Sequence, residues 1–387
     1  MIHRALILLV AMLSMAAPAQ AQSEPFRVFD TRPVITEGPY LMATGETTAT
    51  IVWFTDTPSH AKVRYGPNDD LSTVAEPQVD GLVPVGTRHV VTLSDLSPGT
   101  TYGYEVIATR VVKLNAYWPD KGLDARSGPH RFTTFDRRNP SVSFSFVTDT
   151  HEDTGRIQAL NQAIDWESTE FLVHGGDAFD WIDTEEQLLR AWLRPTLAGL
   201  GHDKPLLFLR GNHELRGPFA RRFIDFVPTP EGRFYYARDA GPVHLIVLDT
   251  GEDKPDDTNV YAELNRTAPY RSEELAWFRD HVGTTARVAE APFRVILMHQ
   301  PEWGWLEEGP GEWVETANAA GVDLVIAGHR HRFSYTPPGP DVEHAYHLLV
   351  VGRDQVARVD ATADELTVVV TGTDGGVVHR LVIPRRL

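Results

Sequence analysis

Five short apolar runs between Ser143 and His331 end in the same way. Ser143–Val147 is followed by Thr148-Asp149-Thr150-His151, and Phe171–His174 by Gly175-Gly176-Asp177-Ala178-Phe179-Asp180. Pro205–Leu209 leads into Arg210-Gly211-Asn212-His213-Glu214, Arg294–Met298 into His299, and Asp323–Ala327 into Gly328-His329-Arg330-His331. The runs have strand length and helically patterned stretches lie between them, which reads as an α/β domain. In open α/β sheets, ligand-binding groups collect at the carboxyl ends of the strands. Such a fold would bring all these Asp, Asn and His side chains to one edge.

Asp, Asn and His together form a nitrogen and oxygen donor set suited to Mn, Fe, Zn, Ni or Co. The candidate ligands are Asp149, His151, Asp177, Asn212, His299, His329 and His331. Seven side chains are too many for one tetrahedral ion. If one carboxylate is shared, they divide into two sets of four. His329 and His331 need not serve the same ion, because a turn freed by Gly328 can feed two ions side by side. His89, His130, His244 and His379 are read as structural, and His174 as a core residue or a support for the ligands.

The rest of the chain narrows the setting. Residues 1–21 carry Arg4, an apolar run from Ala5 to Ala17 and an Ala19-Gln20-Ala21 cleavage site, the pattern of a secretory signal peptide. The run is too short for a membrane span. The chain has no cysteine, which excludes disulfides, thiolate metal sites, a cysteine nucleophile and a lipid-modified cysteine. A periplasmic or secreted location is expected. The formal charge of −17 disfavours duplex nucleic acid and anionic membranes as partners. An anionic substrate would need local positive charge, which bound metal cations supply.

Residues 34–134 read as an all-β sandwich, with strands at Thr48–Phe54, Ala61–Gly66 and His89–Leu93. A Pro98-Gly99 turn then leads into a strand with Tyr102 and Tyr104 on one face. Trp53 and the LSPGTTYGYEV stretch resemble a fibronectin type III domain, of the kind found at the N-terminus of purple acid phosphatases. The polar stretch Phe135–Pro140 marks a boundary, and residues 141–387 form the second domain, β-rich again from Tyr346 onward. Within it Thr184–Arg194 is expected to be a helix with a Thr184/Gln187 capping box, ended by Pro195, and Glu273–His281 another.

DTH, GDAFD, GNHE, a lone His and GHRH, in that order from Phe144 to His331, resemble the calcineurin-like metallophosphoesterase superfamily. The resemblance implies a four-layer sandwich, two mixed sheets flanked by helices. It implies that Asp149, His151 and His331 bind one metal and that Asn212, His299 and His329 bind the other, with Asp177 bridging. It places His213 over the phosphoryl oxygen or leaving group, with Asp180 orienting it. Two ions about 3.5–4 Å apart can clamp a phosphoryl group and acidify a water between them to a pKa of about 7. His213 can then give a hydrogen bond or a proton to the leaving oxygen.

Two departures matter. In purple acid phosphatases the first motif lacks its histidine and the second ends in a ligating tyrosine. Here His151 is present and position 180 is Asp, so an Fe(III)–tyrosinate site is not expected. In protein Ser/Thr phosphatases an arginine follows the second motif, where this chain has Trp181. That phosphate clamp is therefore missing, and Arg210, which precedes GNHE, is a candidate substrate-binding residue. Trp303 and Trp305 lie in a Gly/Pro-rich loop after His299, where they would form either a substrate wall or loop packing. The reading is an exported dinuclear phosphoesterase using two ions, with Mn, Fe or Zn favoured. A phosphodiesterase for cyclic-nucleotide or phospholipid-type diesters is the variant reading. A non-catalytic binding protein on the same fold would be expected to have lost ligands or His213, and none is lost.

Overall fold

The computed structural model describes residues 26–307 and 309–386. The expected signal peptide lies outside the described residues. The N-terminal region consists of β1 (Ile35–Met42), β2 (Ala49–Pro67), β3 (Thr73–Ala75), β4 (Gly86–Leu93), β5 (Thr101–Lys113) and β6 (Asp120–Thr133). Trp53, Tyr102, Tyr104 and Phe132 from these strands meet in one core. Two of the expected strands are parts of one. The runs at Thr48–Phe54 and Ala61–Gly66 both lie on or against the 19-residue β2. Its first half pairs with β4 and its second with β5, and the register to β4 shifts between Phe54 and Ser59.

The second region continues the same sheet. β7 (Ser141–Val147), β8 (Phe171–His174) and β9 (Pro205–Phe208) run parallel. β9 then pairs in parallel with β1, Leu41 opposite Pro205 and Met42 opposite Leu206. The second sheet holds β10 (Tyr236–Ala240), β11 (Val243–Val247), β12 (Phe293–Leu297), β13 (Leu324–Ala327), β14 (Ser334–Thr336) and β15 (His347–Val350). The C-terminal β16 (Gln355–Thr362), β17 (Glu365–Gly372) and β18 (Val377–Pro384) return antiparallel beside β7. The first sheet therefore has 12 strands and the second 6.

Buried Phe144, Val173, Leu245, Val295, Ile326 and Val359 meet between the two sheets. The outer face of the first sheet is covered by α1 (Thr154–Ala163), α2 (Glu185–Leu188) and α3 (Arg194–Leu200). The second sheet is covered by α4 (Thr267–Thr284), α5 (Ala286–Glu290) and α6 (Gly311–Ala319). The layers are helix, sheet, sheet, helix. Thr184 forms the expected capping box with Gln187. Pro195 does not end the helix, however. A π turn at Leu189–Leu193 links α2 to α3, and Pro195 falls in the first turn of α3, where its missing N–H costs nothing. Among the described residues no helix is long and apolar enough to cross a membrane.

Candidate metal centre

All five strand ends converge. β7, β8 and β9 are adjacent and parallel in one sheet, as are β12 and β13 in the other, so the loops after them leave the same edge. The backbone there is tightly folded. Asp149 (φ 56°), His151 (46°), Asp177 (51°), His329 (71°) and His331 (56°) are all left-handed, a conformation non-glycine residues rarely adopt. Such strain gathers where the surroundings over-determine it, commonly at functional sites. The loops also approach closely. A Cβ on Gly211 would lie 2.2 Å from Asp177 Oδ1, and one on Gly328 would lie 2.2 Å from Thr148 Oγ1.

Among the described residues the donor atoms form three groups, one of them His151, Asp180 and His213, and the other two share a carboxylate. Asp149, His151, Asp177 and His331 each present an atom within 4.8 Å of the others, and so do Asp177, His299 and His329. Asp177 belongs to both. The hydrogen bonds around them fix which atoms are free. His151 Nδ1 donates to Asp180 Oδ1 at 2.8 Å, so its Nε2 lone pair faces His331 Nε2 at 3.0 Å. His299 Nδ1 donates to the Gly175 carbonyl at 2.7 Å, leaving Nε2 2.9 Å from Asp177 Oδ2. Asp149 Oδ2 accepts from Thr148 Oγ1 at 2.8 Å and from the His329 N–H at 3.0 Å, while Oδ1 has no partner. Asn212 Oδ1 and Nδ2 and His329 Nδ1 are also buried without partners.

Burying polar atoms unpaired costs about 1–3 kcal/mol each, so a cluster of them needs an occupant. The donor set fits metal cations. Electrostatics agree: burial alone would lower His299, but Asp177 beside it raises it to about 10. Burial raises Asp177, but His299 and His213 more than offset this and hold it below the usual carboxylate range. The Asp177–His299 pair therefore favours a positive charge beside the carboxylate. Burial keeps His151 below its ordinary value, opposed by Asp177 and Asp149, which favours the neutral, ligating form. The two groups sharing Asp177 suggest a binuclear metal centre.

Residues 142–333 match the family model for calcineurin-like phosphoesterases. This is a calcineurin-like phosphoesterase domain. Residues 36–134 match the purple acid phosphatase N-terminal domain. Membership makes the chain a metal-dependent phosphoester hydrolase. The fold as a whole is similar to a purple acid phosphatase from yellow lupin (Lupinus luteus) seeds, with a TM-score of 0.66 and 15% identity over 91% of this chain and 74% of that one. More distant likenesses include the phosphoesterase Yfce from E. coli (TM-score 0.31, 11% identity, 62% of this chain and 100% of that one). Another is a 5'-nucleotidase from Candida albicans (TM-score 0.33, 16% identity, 60% of this chain and 48% of that one). No curated protein matches the sequence.

Three expectations about the phosphoesterase site need correction. The Asp180 carboxylate binds His151, not His213; His213 Nδ1 donates instead to the Asp180 backbone carbonyl at 2.7 Å. Arg210 is not free for substrate. It is half-buried, held on Asp249 by Nε at 2.9 Å, and lies over the Phe234 and Tyr270 rings. Trp303 is only 3% exposed and packs on Trp313 and Tyr346, so it belongs to the core of its loop. Trp305 is 49% exposed, and its backbone N–H donates to the Glu252 carbonyl at 3.2 Å. His174 is a core residue, stacked on Phe208 and bonded to Thr150 Oγ1.

Two further residues escaped the sequence reading. The buried Glu214 carboxylate accepts from the N–H groups of Asp177 (2.9 Å), Ala178 (2.7 Å) and Gly211 (2.8 Å), joining the GDAFD and GNHE loops. Its place beside His213 in GNHE was the available signal. Arg216 donates through Nη1 to His213 Nε2 at 3.1 Å. It is clamped by buried Glu252, with Nη2 to Oε2 at 2.8 Å, and by Asp253 at 3.1 Å. Nothing in the local sequence distinguishes Arg216 from its neighbours, because the carboxylates that clamp it, Glu252 and Asp253, are distant in the chain.

Proposed function

We propose that the chain is an exported phosphoesterase with two metal ions from the group Mn, Fe and Zn. Asp149, His151 and His331 hold one ion, Asn212, His299 and His329 the other, and Asp177 both. The observation that carries this is the pair of donor groups sharing Asp177, in which Asp149 Oδ1, His299 Nε2 and His329 Nδ1 are buried without hydrogen-bond partners. When bound, the ions supply Lewis acidity and acidify water to a nucleophile at neutral pH.

The chain's own residues supply the rest. His213 is fixed through Nδ1 on the Asp180 carbonyl, so only Nε2 faces an incoming ester. That nitrogen lies 3.9 Å from Asp177 Oδ2, close to where a shared ligand places the reaction. In the free protein it lies 3.1 Å from Arg216 Nη1. A phosphoryl or leaving oxygen arriving there meets a guanidinium already positioned by Glu252 and a ring nitrogen able to carry a proton. Asp180 acts one step back, by orienting His151.

The test is hydrolysis of mono- and bis-p-nitrophenyl phosphate by metal-loaded protein and by His213→Ala. The variant should keep its metal and lose rate by about 10²–10⁴-fold. An undiminished rate would contradict the role of His213, and the ratio of the two substrates decides monoester against diester. Export is supported by the pattern in residues 1–21. It predicts a mature N-terminus at Gln22 in the periplasmic or extracellular fraction. An uncleaved chain in the cytosol would contradict it.

A further inference from the structure

We propose that a groove beside His213 receives the alcohol portion of the ester and selects substrates in which that portion is bulky and apolar or aromatic. The inference rests on the phosphoesterase reading above and deepens it.

The groove has a volume of about 570 Å³. Trp181, Leu215, Pro218, Val260, Tyr261 and Leu264 give it apolar walls, and Arg216, Arg221, Glu252, Lys254 and Asn265 also line it. Three of these are unusually open to water for their type: Trp181 is 53% exposed, Val260 73% and Leu264 69%. Single exposed apolar residues need no explanation, but several around one hollow mark a binding surface.

Its position decides what it binds. Arg216 lines the groove, and the same side chain donates to His213 Nε2 at 3.1 Å. Trp181 follows Asp180, whose carbonyl fixes the other ring nitrogen of His213. His213 itself does not line the groove; Arg216 joins the two, so a group attached to an oxygen held at His213 Nε2 has the groove beside it, across the Arg216 guanidinium. The walls are pinned before substrate arrives. Ile182 N–H donates to the Arg216 carbonyl at 2.9 Å, and Phe219 N–H to the Ile182 carbonyl at 2.9 Å. Glu252, itself buried, holds the Arg216 head. A volume of this size lies in the range of small-molecule sites, roughly 300–1,000 Å³. A methyl or ethyl group would leave most of it to water, whereas a ring on a short linker would cover the exposed Trp181, Val260 and Leu264 faces.

The experiment compares ethyl phosphate with 3-phenylpropyl phosphate on metal-loaded protein. Both leaving groups are primary alcohols, so intrinsic reactivity is matched and the difference is what fills the groove. The expected kcat/KM is at least about tenfold higher for the phenylpropyl ester. In Trp181→Ser and in Leu264→Asp the ratio should fall toward one. Because the ratio is read on one sample, any misfolded fraction cancels. Binding of 3-phenylpropylphosphonate, which has no ester bond, is measured on the same samples by calorimetry and should weaken in both variants. A wild-type ratio near one with either ester turned over would overturn the groove and leave the phosphoesterase reading intact. So would a high ratio that survives in both variants. Hydrolysis of neither these esters nor the p-nitrophenyl esters would remove the reading on which the proposal rests.

Discussion

Replacing Asp180 with asparagine removes a negative charge from His151 while leaving an oxygen to accept its Nδ1–H. The structure gives the size of the effect. The carboxylate lies 2.8 Å from His151 Nδ1, and its side chain is 53% exposed. Carboxylates that support ligating histidines are worth about 10–100-fold in metal affinity. Solvent screens this one, so the low end applies: about tenfold, or about 1.4 kcal/mol. The effect should appear at the ion held by His151 and not at the one held by His299, whose Nδ1 is fixed by the Gly175 carbonyl instead. The assay is competition with a chromophoric chelator, which resolves the two ions when their affinities separate. If Asp180 instead acted by tuning His213, metal affinity would be unchanged while kcat fell and its pH profile moved. That result would refute the geometry argued here.

Other outcomes follow from packing and charge. Trp303→Ala should cost about 3–5 kcal/mol in denaturant unfolding and leave substrate preference unchanged, whereas Trp305→Ala should alter stability by no more than about 0.5 kcal/mol. Gly328→Ala places a Cβ 2.7 Å from Asp149 Oδ2 as well as against Thr148, and should weaken metal binding at least about tenfold in the same competition assay. His89 is buried against Trp53 and bonded to Thr55 Oγ1, and burial lowers it to about 4, with His60 adding to the shift. Its neutral form is favoured in the folded chain, so its contribution is complete above the unfolded value near 6.5 and is lost as pH falls toward 4. By pH 5 the loss should reach about 2 kcal/mol, and His89→Gln should flatten that part of the curve of stability against pH.

The parts of this molecule legible in its sequence are those whose signal is local. Asp149, Asp177, Asn212, His299 and His329 each fall within three residues of the end of an apolar run, and parallel strands carry those ends to a common edge. Tyr102 and Tyr104 share a face by the two-residue period of a strand. What was missed depends on distant partners. β2 reads as two strands because its middle, around Thr55–Ser59, is where the register to β4 shifts. The pairing of β1 with β9 joins segments far apart in the chain. Pro195 looks like a stop until the π turn before it removes the need for its N–H. Arg210 and Arg216 both flank GNHE, and only the positions of Asp249 and Glu252 turn one inward and leave the other at His213. For Asp180 the residue was legible and the contacting atom was not: the backbone oxygen serves His213 and the carboxylate serves His151.

The central claim is that one carboxylate, Asp177, holds two ions together. The most direct test is metal content per chain, by mass spectrometry of the native holoprotein, for the wild type and Asp177→Ala after reloading with Mn, Zn or Fe. The account predicts two ions in the wild type and loss at both positions in the variant, with hydrolysis lost alongside. A variant that keeps both ions, or a wild type that binds no more than one and turns over no ester, would contradict it.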